Sequence, residues 1–140
     1  MQELPLQMWA VLAAGLARFF FGWLWFSPGL FMKPWIQSAG INEKRLKQGV
    51  VFGMSVALAG SLLMAFVLAH AIKYAQMAHG LPEGLAGGLA GGFINWLGLV
   101  AVSQLDGVTA EKKPFKWFAI TSGYQLVGML IMGAILSLWA

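Results

Sequence analysis

Residues 49–72 read GVVFGMSVALAGSLLMAFVLAHAI, an unbroken apolar run with no Asp, Glu, Lys or Arg. It exceeds the roughly 20 residues that a helix rising 1.5 Å per residue needs to cross a hydrocarbon core of about 30 Å. The run is continuously apolar instead of alternating every second residue, which selects a helix over a barrel strand. Three further runs flank it, at residues 4–26, 85–105 and 117–140. With 59% hydrophobic and only 10% charged residues, the chain lacks the polar surface of a water-soluble globule, in which about a quarter of residues are charged. The expected fold is therefore all-α: a single polytopic membrane domain over residues 1–140, a bundle of four transmembrane helices.

The first run is expected to remain in the mature protein. It opens on Met1, Gln2 and Glu3 instead of a basic stretch and continues into Ser27 and Pro28 without a cleavage motif. The chain has no cysteine, so disulfides, thiolate metal sites and cysteine nucleophiles are excluded.

Lysine and arginine are distributed unevenly. Lys33, Lys44, Arg45, Lys47, Lys112, Lys113 and Lys116 lie in the two connections at one end of the bundle, and Lys73 alone lies at the other. For loops this short, that asymmetry predicts a multi-pass inner-membrane protein with both termini outside and the basic loops cytoplasmic. The net charge of +4 then marks topology and attraction to anionic lipids of the bilayer. Nucleic acid is not an expected partner, since no exposed basic domain exists.

Gly40 and Asn42 read as a helix stop and an N-cap, so the second helix is expected to begin near Glu43. Thr109 is a candidate cap for a short turn in the second basic loop. Between the first two spans lies an interfacial segment in which Trp25, Ser27, Pro28, Phe31, Lys33 and Trp35 mix aromatic rings with cationic and polar groups, as the headgroup layer favours. Pro28 and Pro34 predict two short helical pieces there with a break between them.

The residues Gly22, Leu24, Trp25, Phe26, Ser27, Pro28, Leu30, Phe31, Lys33 and Trp35, then Trp96-Leu97-Gly98, Tyr124-Gln125-Leu126-Val127 and Met132 to Leu136, resemble the family catalogued as domain of unknown function 1761. The resemblance spans nearly the whole chain, and its specific part is the stretch from Trp25 to Trp35. Phe26 and Met32 stand where that pattern leads one to expect tyrosine and glycine. The resemblance implies a small, mostly bacterial, four-helix integral membrane protein, and it implies no activity.

Gly84, Gly88 and Gly92 form one four-residue ladder along the third span, and Gly87 and Gly91 another. Small residues at this spacing let backbones approach closely, which drives helix association in a membrane. The third span is thus the expected packing element, within one protomer or between the copies of a homo-oligomer. Gly53, Ala57, Gly60 and Gly128 offer further flat surfaces.

Arg18 is the one charge inside an apolar run. It lies about 12 Å inside Phe26 at 1.5 Å per residue. Thr121, Tyr124 and Gln125 of the fourth span and Asn95 of the third fall at roughly 7 to 16 Å on the same scale, and these are its expected neighbours. A guanidinium has five donors and no acceptor, so an amide, a phenol and a hydroxyl can satisfy it without a carboxylate. Two functions follow from such a residue. An uncompensated buried cation attracts an anion or small polar or amphipathic solute, as in a permease or channel-like protein. A satisfied one is a hydrogen-bond hub in a non-transporting scaffold or assembly subunit.

No enzyme is expected, because neither an acid–base pair nor an activated nucleophile is visible. The serines, Ser61 among them, read as caps and packing residues. His70 and His79 match no metal-ligand spacing, and neither a metal nor a cofactor is expected.

Overall fold

The computed structural model describes residues 8–139, with Glu43, Arg45, Leu46 and Trp139 described by their backbone alone. The expected outer limits of the first and fourth spans, at residues 4 and 140, lie outside the described residues.

Among the described residues seven α-helices follow one another: α1 (Met8–Trp25), α2 (Met32–Ala39), α3 (Glu43–Gln48), α4 (Val50–Ala78), α5 (Leu85–Asn95), α6 (Val102–Thr109) and α7 (Phe115–Trp139). A π-helical turn, Trp96–Ala101, joins α5 to α6 into one continuous rod. Four units are long and apolar enough to cross a membrane: α1, α4, the α5–α6 rod and α7. Phe52, Trp9 and Leu99 are 77%, 73% and 70% exposed, an outer surface suited to hydrocarbon and not to water. The chain is a multi-pass helical membrane bundle.

Its spans form a closed set of neighbours. α1 packs on α4 and α7, α5 packs on α7, and α4 touches α5 and α7. Ala10, Val11 and Ala14 of α1 meet Ala65, Leu68, Ala69 and Ile72 of α4 and Met129, Met132 and Leu136 of α7 in the common core. Ala10 and Ala14 of α1 and Ala65 and Ala69 of α4 contribute small side chains to this contact, which lets the two helix axes approach closely.

The glycine ladders of α5 serve contacts within the chain. A Cβ on Gly88 would strike the carbonyl oxygen of Gly133 and the Ser137 side chain, and one on Gly92 would stand 2.6 Å from the Met129 carbonyl oxygen. Gly91 faces Ile72 of α4, and Gly87 faces the carbonyl of Pro82 in the connecting loop. Gly84 is a different case: no atom lies within 4 Å of its would-be Cβ, and its φ of +78° serves the N-terminus of α5. It turns the backbone where a side chain is disfavoured. The most covered span is α7, 44% buried, against 28% for the α5–α6 rod. A helix of glycines lets neighbours in but has little side-chain surface of its own to bury. Gly53 and Gly60 on α4 meet nothing within 4 Å, so they supply no packing surface inside the protomer.

Between α1 and α4 the structure corrects one expectation. Residues 32–39 form a single helix, with Pro34 in its first turn. A first-turn amide has no partner inside the helix, so proline costs no hydrogen bond there. Gly40, at φ 69°, then ends α2, and the Asn42 side chain caps α3 by accepting from the Lys44 amide. Thr109 is likewise not an N-cap. It closes α6, and its hydroxyl donates back to the Leu105 carbonyl.

Candidate functional site

Arg18 enters the bundle from the middle of α1 and is only 7% exposed. Its Nη1 donates to Ser61 Oγ on α4 at 2.6 Å, and its Nη2 donates to Gln125 Oε1 on α7 at 2.7 Å. Three spans are thereby fastened at one residue. The guanidinium carbon lies 5.0 Å from the centre of the Tyr124 ring, a cation–π distance. One turn along α7, the aliphatic stem crosses Gly128, where a Cβ would stand 3.4 Å from Arg18 Cγ. Only Nε of the guanidinium is buried without a partner.

Among the described residues no carboxylate pairs with this cation. Asp106, the acidic residue nearest in sequence to the apolar core of the third span, is exposed at the end of the rod, where its carbonyl accepts from Ala110 and Glu111. The energetic balance is therefore struck with neutral groups. Burying an arginine in a span costs about 2.5–3.5 kcal/mol on insertion scales. Membrane hydrogen bonds contribute about 0.6–1.7 kcal/mol each, and a desolvated cation–π contact contributes up to about 2 kcal/mol. The contacts of Arg18 thus offset its insertion cost without a counter-ion.

Of the expected neighbours, Gln125 and Tyr124 meet Arg18. Thr121 lies on the same face of α7 one turn away, and its Oγ1 is buried without a partner. Asn95 does not join the hub: it donates to Gly91 of its own helix at 2.8 Å and lines a groove between α4 and the α5–α6 rod. Depth alone placed it beside Arg18, but it occupies a different face of the bundle. Ser61, fully buried, takes the place expected for Asn95. Counting inward along α4 from Val50 puts Ser61 at about 17 Å, at the inner edge of the depth of the other partners, but depth alone does not single it out from the other serines.

A second cluster anchors the basic end. Trp25 lies tilted against Phe31 with ring centres 4.4 Å apart, and Phe26 lies tilted against Trp35 at 4.8 Å and edge-on to Tyr124 at 5.1 Å. The Trp25 indole donates to the Ile120 carbonyl at 3.2 Å, and the Trp96 indole donates to the Ser122 carbonyl at 2.9 Å. Two tryptophans from different spans thus grip α7 within a single turn. Ser27 shapes the turn into α2 through its carbonyl, which accepts from Leu30 and Met32, while Pro28 and Lys33 are exposed beside it. At the opposite end, His70 bonds the Phe66 carbonyl, and His79 lies against the Tyr74 ring.

Residues 9–137 match the family model described as Protein of unknown function (DUF1761). Neither the search of curated proteins nor that of solved structures returns a match.

Proposed function

The chain belongs to the DUF1761 family, a membership that specifies no activity, and we propose that it is a non-transporting, non-catalytic membrane subunit, a scaffold or assembly partner built around a structural arginine. One observation carries this reading: the guanidinium is enclosed, and its two outer nitrogens are both committed to side chains of the same chain, Ser61 and Gln125. Arg18 is not part of the wall of the groove formed between α4 and the α5–α6 rod. A transported anion would have to break two charge-assisted bonds to reach it.

The proposal includes an orientation. Both termini lie outside the inner membrane and the basic end of the bundle faces the cytoplasm, supported by the clustering of Lys33, Lys44, Arg45, Lys47, Lys112, Lys113 and Lys116 at that end. It also includes self-association, for which the bare face of α4 speaks.

The second reading is a small permease or channel-like protein for an anion or a small polar or amphipathic solute. It is favoured by the lack of a carboxylate partner among the described residues and by the unpaired Arg18 Nε. Reconstitution into vesicles separates the two. The scaffold reading predicts chloride, phosphate and acetate fluxes equal to those of protein-free vesicles; a saturable flux abolished by Arg18→Lys would establish the permease.

A further inference from the structure

The groove between α4 and the α5–α6 rod has a volume of about 350 Å³, and Asn95 is the one polar side chain among its lining residues. Asn95 follows Leu85 by about 15 Å of helix, half the thickness of a hydrocarbon core of about 30 Å. Its carboxamide makes a single hydrogen bond, from Nδ2 to the Gly91 carbonyl of its own helix. The Oδ1 acceptor and the second N–H have no partner among the described residues. Polar groups facing hydrocarbon are costly, because acyl chains offer neither donor nor acceptor.

We propose that this groove is the interface of a symmetric homodimer, closed by Asn95 pairing with the partner's Asn95. A carboxamide holds both a donor and an acceptor, so two copies related by a two-fold axis satisfy each other. A lipid tail fills the hollow but leaves the amide unpaired.

The surroundings are self-complementary. Leu63 and Leu99, 64% and 70% exposed, flank the hollow as knobs, while Gly60 leaves open space at its wall. α4 is the least covered span, with 11% of its apolar core buried. Small residues allow close approach, and a polar amide fixes register, the two devices by which membrane helices associate. This pairing deepens the self-association proposed above and rests on it; it does not involve Arg18, so the structural role of that residue and the dimer can fail separately.

The chain has no cysteine, which makes single-cysteine cross-linking direct. In native membranes treated with a copper oxidant, Leu99→Cys forms a disulfide-linked dimer, whereas Phe20→Cys, exposed on α1, does not. Asn95→Ala raises the dimer dissociation constant about three- to twentyfold. The same variant leaves the monomer's melting behaviour unchanged, since it removes only a bond within one helix. Gly60→Leu fills the hollow and also weakens the dimer. Equal cross-linking at Leu99→Cys and Phe20→Cys overturns the proposal, as does an Asn95→Ala dimer constant equal to that of the wild type. So does a wild-type monomer that, in native mass spectrometry, retains a small amphipathic molecule lost in Asn95→Ala. That result would assign the groove to a ligand.

Discussion

Gly92→Ala tests a close backbone contact between α5 and α7 with a single added methyl. The new Cβ would stand 2.6 Å from the Met129 carbonyl oxygen and 3.1 Å from its carbon. Both atoms belong to the backbone of α7, so no side-chain rotation relieves the clash and the two helices must part by some tenths of an ångström. Overpacking of this kind costs about 1–3 kcal/mol. Replacing glycine by alanine inside a helix returns roughly 0.5–1 kcal/mol through backbone entropy, which would mask part of the loss. Gly53→Ala supplies the reference, since no atom lies within 4 Å of its would-be Cβ. Reversible unfolding in mixed micelles, followed by tryptophan fluorescence, should place Gly92→Ala about 1–3 kcal/mol below Gly53→Ala. Equal stability of the two variants would refute the close approach of α5 to α7.

Ser61→Ala removes an acceptor from a charged donor and should cost about 1–3 kcal/mol, whereas Ser103→Ala, which only loses bonds to its own helix, should stay within about 0.5 kcal/mol; the same unfolding titration reads both. Trp96→Phe keeps an aromatic ring but loses the indole bond to the Ser122 carbonyl, for an expected loss of about 0.5–1.5 kcal/mol. Lys44→Cys and Lys112→Cys should be shielded from an impermeant thiol reagent in intact cells, while His79→Cys is labelled; the opposite pattern would invert the proposed orientation.

The spans were legible because each is a long apolar run without acidic interruptions, and helix length in a membrane is fixed by hydrocarbon thickness. Their ends were less so. α4 runs on to Ala78, past the expected boundary at residue 72, because a helix continues beyond the hydrocarbon through residues such as Lys73 and Gln76 that carry no stop signal. The π-helical turn at Trp96–Ala101 has no mark in its sequence; its apolar residues suit an ordinary α-helix equally well. At the hub, charge and depth together identified Arg18 and Gln125. They misplaced Asn95, since depth along a helix says nothing about which face a side chain occupies until the neighbours are known. Ser61 was hidden among the other serines, whose hydroxyls all suit a local bond to their own helix. Only the packing of α1 on α4 turns this one toward the guanidinium.

The most direct test of the structural role of Arg18 is the unfolding free energy of Arg18→Met, measured with and without a panel of anions and small solutes. Methionine matches the stem but strands the Ser61 hydroxyl and the Gln125 amide in the bundle, where each unsatisfied group costs about 1–3 kcal/mol. If Arg18 is the fastening of α1, α4 and α7, the variant is destabilised by that order and the wild type responds to no solute. A variant as stable as the wild type or more so, together with a wild-type stability that rises with one anion and a response absent from Arg18→Met, would contradict the scaffold and make Arg18 a binding site.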